Sequence, residues 1–189
     1  GIVNGYADRG GGIRLGVNAV AKLRNCRIEN CVAYNSGGGV YFDKYAQGEM
    51  TGCFVTGCRA PKGGGMVVEY HSYPAITSCA IIGNTAFISG GGVFCPYHSG
   101  AYLRDCVLAH NSAATSGGAV QTAQGAPVML ENCEIAYNGA SLGGAVHCTG
   151  KTCSTRLRWC NLYGNTPTDF AGAFSGGCAY GCYSIDPGL

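Results

Sequence analysis

Six cysteines recur at an almost constant interval along the chain, and this interval constrains the fold more than any other feature. The steps between successive cysteines are 27, 26, 27, 27 and 27 residues. The six residues are Cys26, Cys53, Cys79, Cys106, Cys133 and Cys160. A period this regular indicates one supersecondary unit that is repeated and stacked.

Other residue types recur at fixed distances from these cysteines. An aliphatic residue follows two positions later in every copy, as Ile28 and Val55 do. Five positions after the cysteine come Cys31 and Cys58, and the later copies carry asparagine there. These asparagines are Asn84, Asn111, Asn138 and Asn165. Because the apolar residues alternate within each copy, the pattern predicts short strands with one buried face.

Short strands that repeat in register can bury their inward faces only by stacking on the next copy. The pattern therefore predicts an all-β fold, a single parallel β-helix domain over residues 1–189 with about seven coils of 27 residues. Cysteine and aliphatic columns fill the core, an alanine column suits a tight corner, and glycine clusters supply backbone angles that a Cβ would forbid. The asparagine column predicts a ladder of amide hydrogen bonds.

Composition excludes two classes of partner. The chain has 189 residues and a net charge of +2 without a basic cluster, which argues against nucleic acid. No apolar run approaches the roughly 18 residues that cross a bilayer. Charged residues make up only 12% of the chain, about half the usual share of a soluble domain. Either small polar residues keep the surface soluble, or neighbouring molecules cover much of it.

Thirteen cysteines are many for this length and are typical of an oxidising, extracellular setting. Cysteines in one column would lie about 4.8 Å apart, whereas a disulfide needs Cβ atoms about 3.8 Å apart, so thiol ladder and bridges stay as alternatives. The candidate disulfide pairs are Cys31 with Cys58, Cys148 with Cys153, and Cys178 with Cys182. The odd count leaves at least one thiol free or joining two chains. The spacing matches no zinc pattern, and we expect no metal and no other cofactor.

The acidic residues predict no catalytic centre. A polysaccharide lyase or hydrolase needs grouped carboxylates or a carboxylate pair. The ten acids are scattered over different columns, and only Asp105 and Glu131 are near neighbours in phase. We also find no nucleophile with a base and an orienting acid. The sequence therefore predicts no catalytic residue and a protein that is not an enzyme.

One local motif predicts a binding surface. Tyr70-His71-Ser72 recurs 27 residues later as Tyr97-His98-Ser99, so the two triplets should stack. Further tyrosines lie near the same loop region: Tyr41, Tyr45, Tyr73 and Tyr102. A strip of aromatic rings can stack on sugar rings or pack against another subunit, and two stacked histidines could hold a metal. The alternative is that these rings simply fill a loop. The candidate binding residues are Tyr70, His71, Tyr97 and His98.

The repeats carry a family resemblance. The copies NCRIENCVAYNSGGGVYF (25–42) and NCEIAYNGASLGGAVHC (132–148) resemble the right-handed parallel β-helix repeats of secreted and surface bacterial proteins. The Gly-Gly-Ala-Val segments at 117–120 and 143–146 are similar to repeats of polymorphic outer-membrane, autotransporter-type passengers. The tail YSIDPGL (183–189) looks like the closing segment of similar proteins. The resemblance implies a right-handed β-helix at the cell surface or outside the cell.

The two ends suggest how copies could associate. The chain opens inside a repeat at Gly1 without an initiator methionine, from which we expect a processed product or a piece of a longer β-helix. Asn4 falls at the phase of the asparagine column and Leu189 at the phase of the aliphatic column. A β-helix without caps offers open strand edges. Residues 177–189 would form either a C-terminal cap or a junction segment.

Three functions follow in order of preference. The first is a non-enzymatic extracellular structural protein whose copies stack head to tail into a filament. The second is a surface adhesin or carbohydrate-binding β-helix that uses the tyrosine and histidine strip, with a polysaccharide as partner. The third is a polysaccharide lyase or hydrolase, an activity that many parallel β-helix proteins have.

Overall fold

The computed structural model describes residues 1–96, 98–123, 125–150, 154–173 and 179–184. These residues form four parallel β-sheets, which we name A to D in the order in which the chain first visits them. Each turn of the chain contributes one short strand to each sheet, and the coils wind in a right-handed sense. The predicted all-β parallel β-helix is confirmed. Seven strands in a sheet are separated by six steps, so the structure has about six complete turns rather than the seven expected.

The strands are short because a corner follows every two to five residues. Sheet A contains Ile2–Val3, Arg27–Glu29, Phe54–Thr56, Ala80–Ile82, Val107–Ala109, Glu134–Ala136 and Asn161–Tyr163. Sheet B contains Tyr6–Arg9, Val32–Ser36, Arg59–Lys62, Thr85–Ser89 and Ser112–Ala113. Sheet C contains Ile13–Leu15, Val40–Phe42, Met66–Val68, Val93–Cys95, Val120–Thr122, Val146–Cys148 and Phe170–Gly172. Sheet D contains Val20–Arg24, Gln47–Thr51, Ala75–Thr77, Ala101–Arg104, Val128–Glu131, Arg156–Arg158 and Ala179–Tyr180.

No helix among the described residues is long and apolar enough to pass through a bilayer.

Each corner between sheets is turned by one residue with positive φ. The corner from D to A uses Asn25, Gly52, Ser78, Asp105, Asn132, Trp159 and Gly181. The corner from A to B uses Asn4, Asn30, Gly57, Gly83, His110, Tyr137 and Gly164. The corner from C to D uses Asn18, Tyr45, His71, His98 and Gly125. Left-handed backbone is costly for residues with a Cβ, so stacking on the neighbouring coils must hold the non-glycine members in place.

The corner from B to C differs, because in six successive coils only glycine turns it. These residues are Gly10, Gly37, Gly63, Gly90, Gly117 and Gly143. A Cβ built on Gly63 would lie 2.4 Å from the carbonyl oxygen of Met66, whereas a Cβ on Gly83 in the A-to-B corner would meet nothing within 4 Å. The recurring glycine cluster is therefore explained by close backbone approach as well as by φ.

The predicted cysteine file lies inside the solenoid. The carbonyl oxygen of Cys53 accepts from the N–H of Ala80, and the same bond recurs one coil later between Cys79 and Val107 at 3.0 Å. Five members of the file are buried: Cys53, Cys79, Cys106, Cys133 and Cys160. The inward faces of all four sheets pack around the same apolar core. Burial of this apolar surface is the main stabilising contribution to the fold.

Side-chain amides form a ladder at the A-to-B corner. The Nδ2 group of Asn84 donates to Oδ1 of Asn111 at 3.0 Å, and Asn111 donates to Asn138 at 3.0 Å. Asn138 continues the ladder to Asn165 at 2.9 Å. The same Nδ2 groups also donate to backbone carbonyl oxygens of the preceding coil, so buried amides are paired on both sides.

The structure corrects three details of the sequence analysis. Asn4 is one residue out of phase with the ladder, because Gly5 takes the position that Cys31 has in the next coil. The alanine column lies within sheet B, where Ala60 pairs with Ala86, and not at a corner. Cys182 does not lie beside a local partner, because the N–H of Tyr183 donates to the carbonyl oxygen of Cys160 and so stacks Cys182 on the cysteine file.

No disulfide joins the cysteines that the structure describes. Cys31 and Cys58, a candidate pair, are both free and buried. Cys148 and Cys182 are free as well, while their candidate partners Cys153 and Cys178 lie outside the described residues. Of the two alternatives for the core cysteines, the structure has the thiol ladder.

Candidate functional site

The repeated Tyr-His-Ser motif places a ladder of rings at the C-to-D corner. The ring of Tyr45 stacks on His71 with centroids 5.4 Å apart, and His71 stacks on His98 at 6.0 Å. Tyr70 meets both histidines edge-on, at 4.0 Å and 5.6 Å. The N–H of His71 donates to the carbonyl oxygen of His98, which holds the coils in register. Tyr97, the fourth candidate binding residue, lies outside the described residues. We call Tyr45, Tyr70, His71 and His98 the ring ladder.

The other tyrosines of the expected strip lie elsewhere. Tyr73 and Tyr102 line a groove of about 520 Å³ on the outer face of sheet D, together with Met129 and Arg156. The hydroxyl of Tyr102 donates to Glu131. Tyr41 is buried on the outer face of sheet C. The tyrosines therefore occupy three separate surfaces, and only Tyr45 joins the predicted motif.

A cleft of about 530 Å³ runs parallel to the solenoid axis where sheets B and C meet, and we call it the B–C cleft. Its floor is the outward column of sheet C, which is in register from coil to coil: Arg14, Tyr41, Val67, Phe94, Gln121 and His147. One wall is the last outward column of sheet B: Arg9, Ser36, Lys62, Ser89 and Ser116. The opposite rim follows sheet C: Asp43, Glu69, Pro96, Ala123 and Thr149.

One end of the cleft is charged. Arg14 donates to Asp43 at 2.5 Å, and Arg9 donates to the hydroxyl of Tyr41 at 3.1 Å. Both guanidinium groups lie over the Tyr41 ring, with carbon-to-centroid distances of 5.5 Å for Arg9 and 5.8 Å for Arg14. Burial disfavours the Asp43 carboxylate, but the Arg14 hydrogen bond and the Lys44 N–H outweigh burial and lower its pKa. Burial and the nearby Glu69 charge raise the pKa of Tyr41.

The middle of the cleft combines an aromatic face with hydroxyl and charged groups. The Nζ of Lys62 lies 5.9 Å from the centroid of the Phe94 ring. The hydroxyls of Ser89 and Ser116 are 3.2 Å apart on the wall, and Glu69 faces them from the rim. A ligand here would meet one apolar ring and both signs of charge.

The far end of the cleft is a buried polar pair. The Nδ1 atom of His147 lies 2.7 Å from Oε1 of Gln121, and the amide of Gln121 donates to the carbonyl oxygen of Thr122 at 3.0 Å. Burial lowers the pKa of His147, which favours the neutral imidazole. This pair fixes the floor of the cleft where it narrows towards Thr149.

Sequence reasoning missed this cleft. Asp43 and Glu69 lie in one column on adjacent coils, since Glu69 donates its N–H to Phe42 just before Asp43. Their separation of 26 residues is one short of the main period, so they looked unrelated in phase. The pair that looked adjacent, Asp105 and Glu131, has separate partners in the structure: Asp105 accepts from Asn132 and Glu131 from Tyr102.

The arrangement suits reversible binding of a polar ligand. Within the described ranges, no group of three or more histidine, cysteine or acidic side chains converges to hold a metal ion. The cleft instead offers hydroxyls, an amide, an ammonium group and a carboxylate along one line, around the Phe94 ring. These groups include both hydrogen-bond donors and acceptors, as a ligand rich in hydroxyls requires.

Comparison with known proteins agrees with the geometry. The family model described as "right handed beta helix region" matches residues 3–177, which is nearly the whole chain. A search of curated proteins and a search of solved structures gave no match. The coil-by-coil register of the four sheets and this match lead to the same conclusion: the chain belongs to the right-handed β-helix family.

Proposed function

We propose that the chain is a non-enzymatic carbohydrate-binding β-helix that holds an extended polysaccharide along the B–C cleft. The observation that carries this proposal is the lining of the cleft, in which Lys62, Glu69, Ser89 and Gln121 surround the Phe94 ring. Sugar hydroxyls both donate and accept hydrogen bonds, and an aromatic face packs well against a sugar ring. This is the second of the functions suggested by the sequence, carried by a different set of residues.

The direction of the cleft favours a polymer over a small ligand. Its floor crosses five coil steps from Arg14 to His147, and at about 4.8 Å a step it is roughly 24 Å long. Each coil presents its groups at the same distance from the axis. A chain molecule laid along the axis would therefore meet a similar set of groups at each coil.

The ring ladder extends the same surface. Tyr70 and His71 directly follow Glu69, which forms the rim of the cleft. Exposed rings beside a polar cleft give a polysaccharide a second line of contacts, and they are already stacked before a ligand arrives. Preorganised rings lose little conformational entropy when a ligand binds.

The groups in the cleft favour binding without cleavage. Asp43 is held by Arg14, and the raised pKa of Tyr41 makes this hydroxyl a poor base at neutral pH. Glycoside hydrolysis would need a second carboxyl group placed across the scissile bond. We therefore propose an adhesin-like role at the cell surface or outside the cell, where polysaccharides are met.

Binding can be tested by isothermal titration against soluble neutral, uronate-containing and sulfated polysaccharides. We expect at least one of them to bind, and Phe94→Ala to weaken this binding up to about tenfold, since an aromatic contact contributes about 0.5–1.5 kcal/mol. The matched control is Phe54→Ala, because Phe54 is an aromatic residue on sheet A that is 50% exposed. Equal weakening by both variants, or no binding by any polysaccharide, would contradict the proposal. Release of reducing or unsaturated ends would replace it with an enzymatic function.

A second candidate function, end-to-end association of copies, has its own supporting observation. The strands of the first coil each pair with a neighbour on one side only, and Val3, Val17 and Val20 expose much of their surface there. Unpaired strand edges attract further strands. We propose that another coil of the same kind covers this edge, and a second copy of the chain could supply it.

Sedimentation velocity over a range of protein concentrations tests this association. We expect larger species to form as concentration rises, and Val20→Lys to suppress them, because Val20 is 78% exposed at the edge. Val32→Lys, on sheet B away from the edge coil, is the control. A single monomeric species at every concentration would contradict head-to-tail stacking and leave the cleft proposal untouched.

A further inference from the structure

The cysteine file has a chemistry that neither the fold nor the cleft uses. With Cys182 it contains seven thiols on successive coils, which we call the thiol column: Cys26, Cys53, Cys79, Cys106, Cys133, Cys160 and Cys182. None of them forms a disulfide in the structure. The side chains of such a column lie one above another along the axis, about 4.8 Å apart.

Backbone groups already solvate the sulfur atoms. The N–H of Cys53 donates to Sγ of Cys79 at 3.3 Å. The thiol of Cys106 in turn lies 3.2 Å from the carbonyl oxygen of Arg104 and 3.4 Å from that of Ile76. Cys133 and Cys160 repeat these contacts with their own coils and the preceding ones. An N–H aimed at sulfur also stabilises a thiolate, the form in which cysteine binds metal ions.

The spacing of the column fits a particular kind of metal site. A metal–thiolate bond is about 2.3 Å long, so one ion in line between two sulfurs would separate them by about 4.6 Å. This is close to the strand spacing of about 4.8 Å. Each gap in the column offers two sulfurs, whereas structural zinc takes four ligands in a tetrahedron. Soft monovalent cations such as Cu(I) accept thiolate ligands.

We propose that the thiol column binds soft monovalent cations, Cu(I) or Ag(I), each between the thiolates of two successive coils. Seven thiols have six gaps, and neighbouring sites share their sulfur. Filling the column takes up six cations and releases seven protons, which leaves a single net negative charge on six metal ions and seven thiolates. Sharing the sulfurs keeps the core almost neutral, and this matters because an isolated buried charge is very costly.

The ends of the column give access from solvent. Cys26 and Cys182 are half-buried, whereas the five thiols between them are buried. Loading would therefore begin at the two ends and proceed inward as coils open locally.

The test is an anaerobic titration of the fully reduced protein with Cu(I) against a competing colorimetric chelator, with native mass spectrometry to count bound ions. Cys106→Ala removes the shared sulfur of two gaps, so we expect it to bind two ions fewer than the unchanged protein. Cys95→Ala is the matched control. Cys95 is also fully buried, but its register neighbour is Thr122 and not another cysteine. We expect the control to bind the same number of ions as the unchanged protein.

Two further measurements separate metal binding from damage to the fold. Cys26→Ala removes one gap at the end of the column and should lower the count by one, even where Cys106→Ala fails to fold. Far-UV circular dichroism should keep its β signal during loading. An equal count for Cys106→Ala and Cys95→Ala would overturn the proposal. Uptake of Cu(I) only with loss of the β signal would overturn it as well, because the unfolded chain would then be the ligand.

Discussion

The backbone N–H of Cys58 donates a hydrogen bond of 2.9 Å to Oδ1 of Asn84, and this contact joins a thiol to the amide ladder. One coil later the same bond runs from the N–H of Asn84 to Oδ1 of Asn111 at 3.0 Å. The Sγ of Cys58 lies 3.7 Å from the carbonyl oxygen of Ile28. The amide of Asn111 donates to the equivalent carbonyl at 2.8 Å. Cysteine and asparagine thus fill one structural position with unequal hydrogen-bonding capacity.

Cys58→Asn should lengthen the ladder by one coil and raise the free energy of unfolding by about 1 kcal/mol, because an amide donates more strongly than a thiol. Cys95→Asn is the control, since burial raises the pKa of both thiols to about 12 but Cys95 lies in the apolar core. We expect Cys95→Asn to destabilise the fold. Urea denaturation measures both, and destabilisation by Cys58→Asn would contradict the equivalence.

Asn111→Leu should be among the most destabilising single substitutions in the ladder. The Asn111 side chain accepts from Asn84 and donates to Ile81 and Asn138, so its loss leaves buried polar groups on three residues without their partner. We expect a loss of roughly 3 kcal/mol or more in the free energy of unfolding. Asn111→Cys, which mimics the two earlier coils, should lose less. Equal losses would mean that volume and not hydrogen bonding sets the effect.

Two glycines with similar φ should respond differently to alanine. Gly83 has φ of 65° and open space around its Cβ direction, so Gly83→Ala should cost about 1–2 kcal/mol from backbone strain alone. Gly90 has φ of 70°, and its Cβ would lie 2.7 Å from Cβ of Phe94. Gly90→Ala should therefore cost roughly 3 kcal/mol or more. The two melting temperatures, compared side by side, test the difference between the corners.

His147 should make stability depend on pH. Because burial lowers its pKa, the unfolded chain binds a proton more readily than the folded chain does. Stability should therefore fall as the pH drops below about 6.5, the ordinary histidine value. His147→Gln keeps a hydrogen-bonding group beside Gln121 and should flatten this part of the profile. Parallel profiles for the two proteins, measured by denaturation at several pH values, would show that His147 is not the cause.

The sequence predicts the interior of this solenoid much better than its surface. The inward columns must repeat because each coil packs on the next, so residues such as Ile28, Cys53 and Asn111 reveal the fold by their spacing alone. The outward column of sheet C, one position after the apolar valines, changes from Tyr41 to Phe94 to His147 without a pattern. Only the register of the strands brings this column together with sheet B.

Irregular steps account for the remaining errors. The pair Asp43 and Glu69 is separated by 26 residues, and Cys182 follows Cys160 after only 22. A fixed period of 27 assigns both to the wrong place. The corners were also hard to predict, since bulky residues such as Tyr137 and Trp159 seldom adopt the positive φ that they have here.

The glycine-only corner divides the molecule into a conserved-by-geometry hinge line and three permissive ones. Where Gly37, Gly63 and Gly90 turn the chain, adjacent backbones touch and no side chain fits. At the other three corners, asparagine, serine, histidine, tyrosine and tryptophan already stand at equivalent places. A designer could therefore rewrite those three edges residue by residue, as one changes beads on a fixed string, while the shaft beneath keeps its shape.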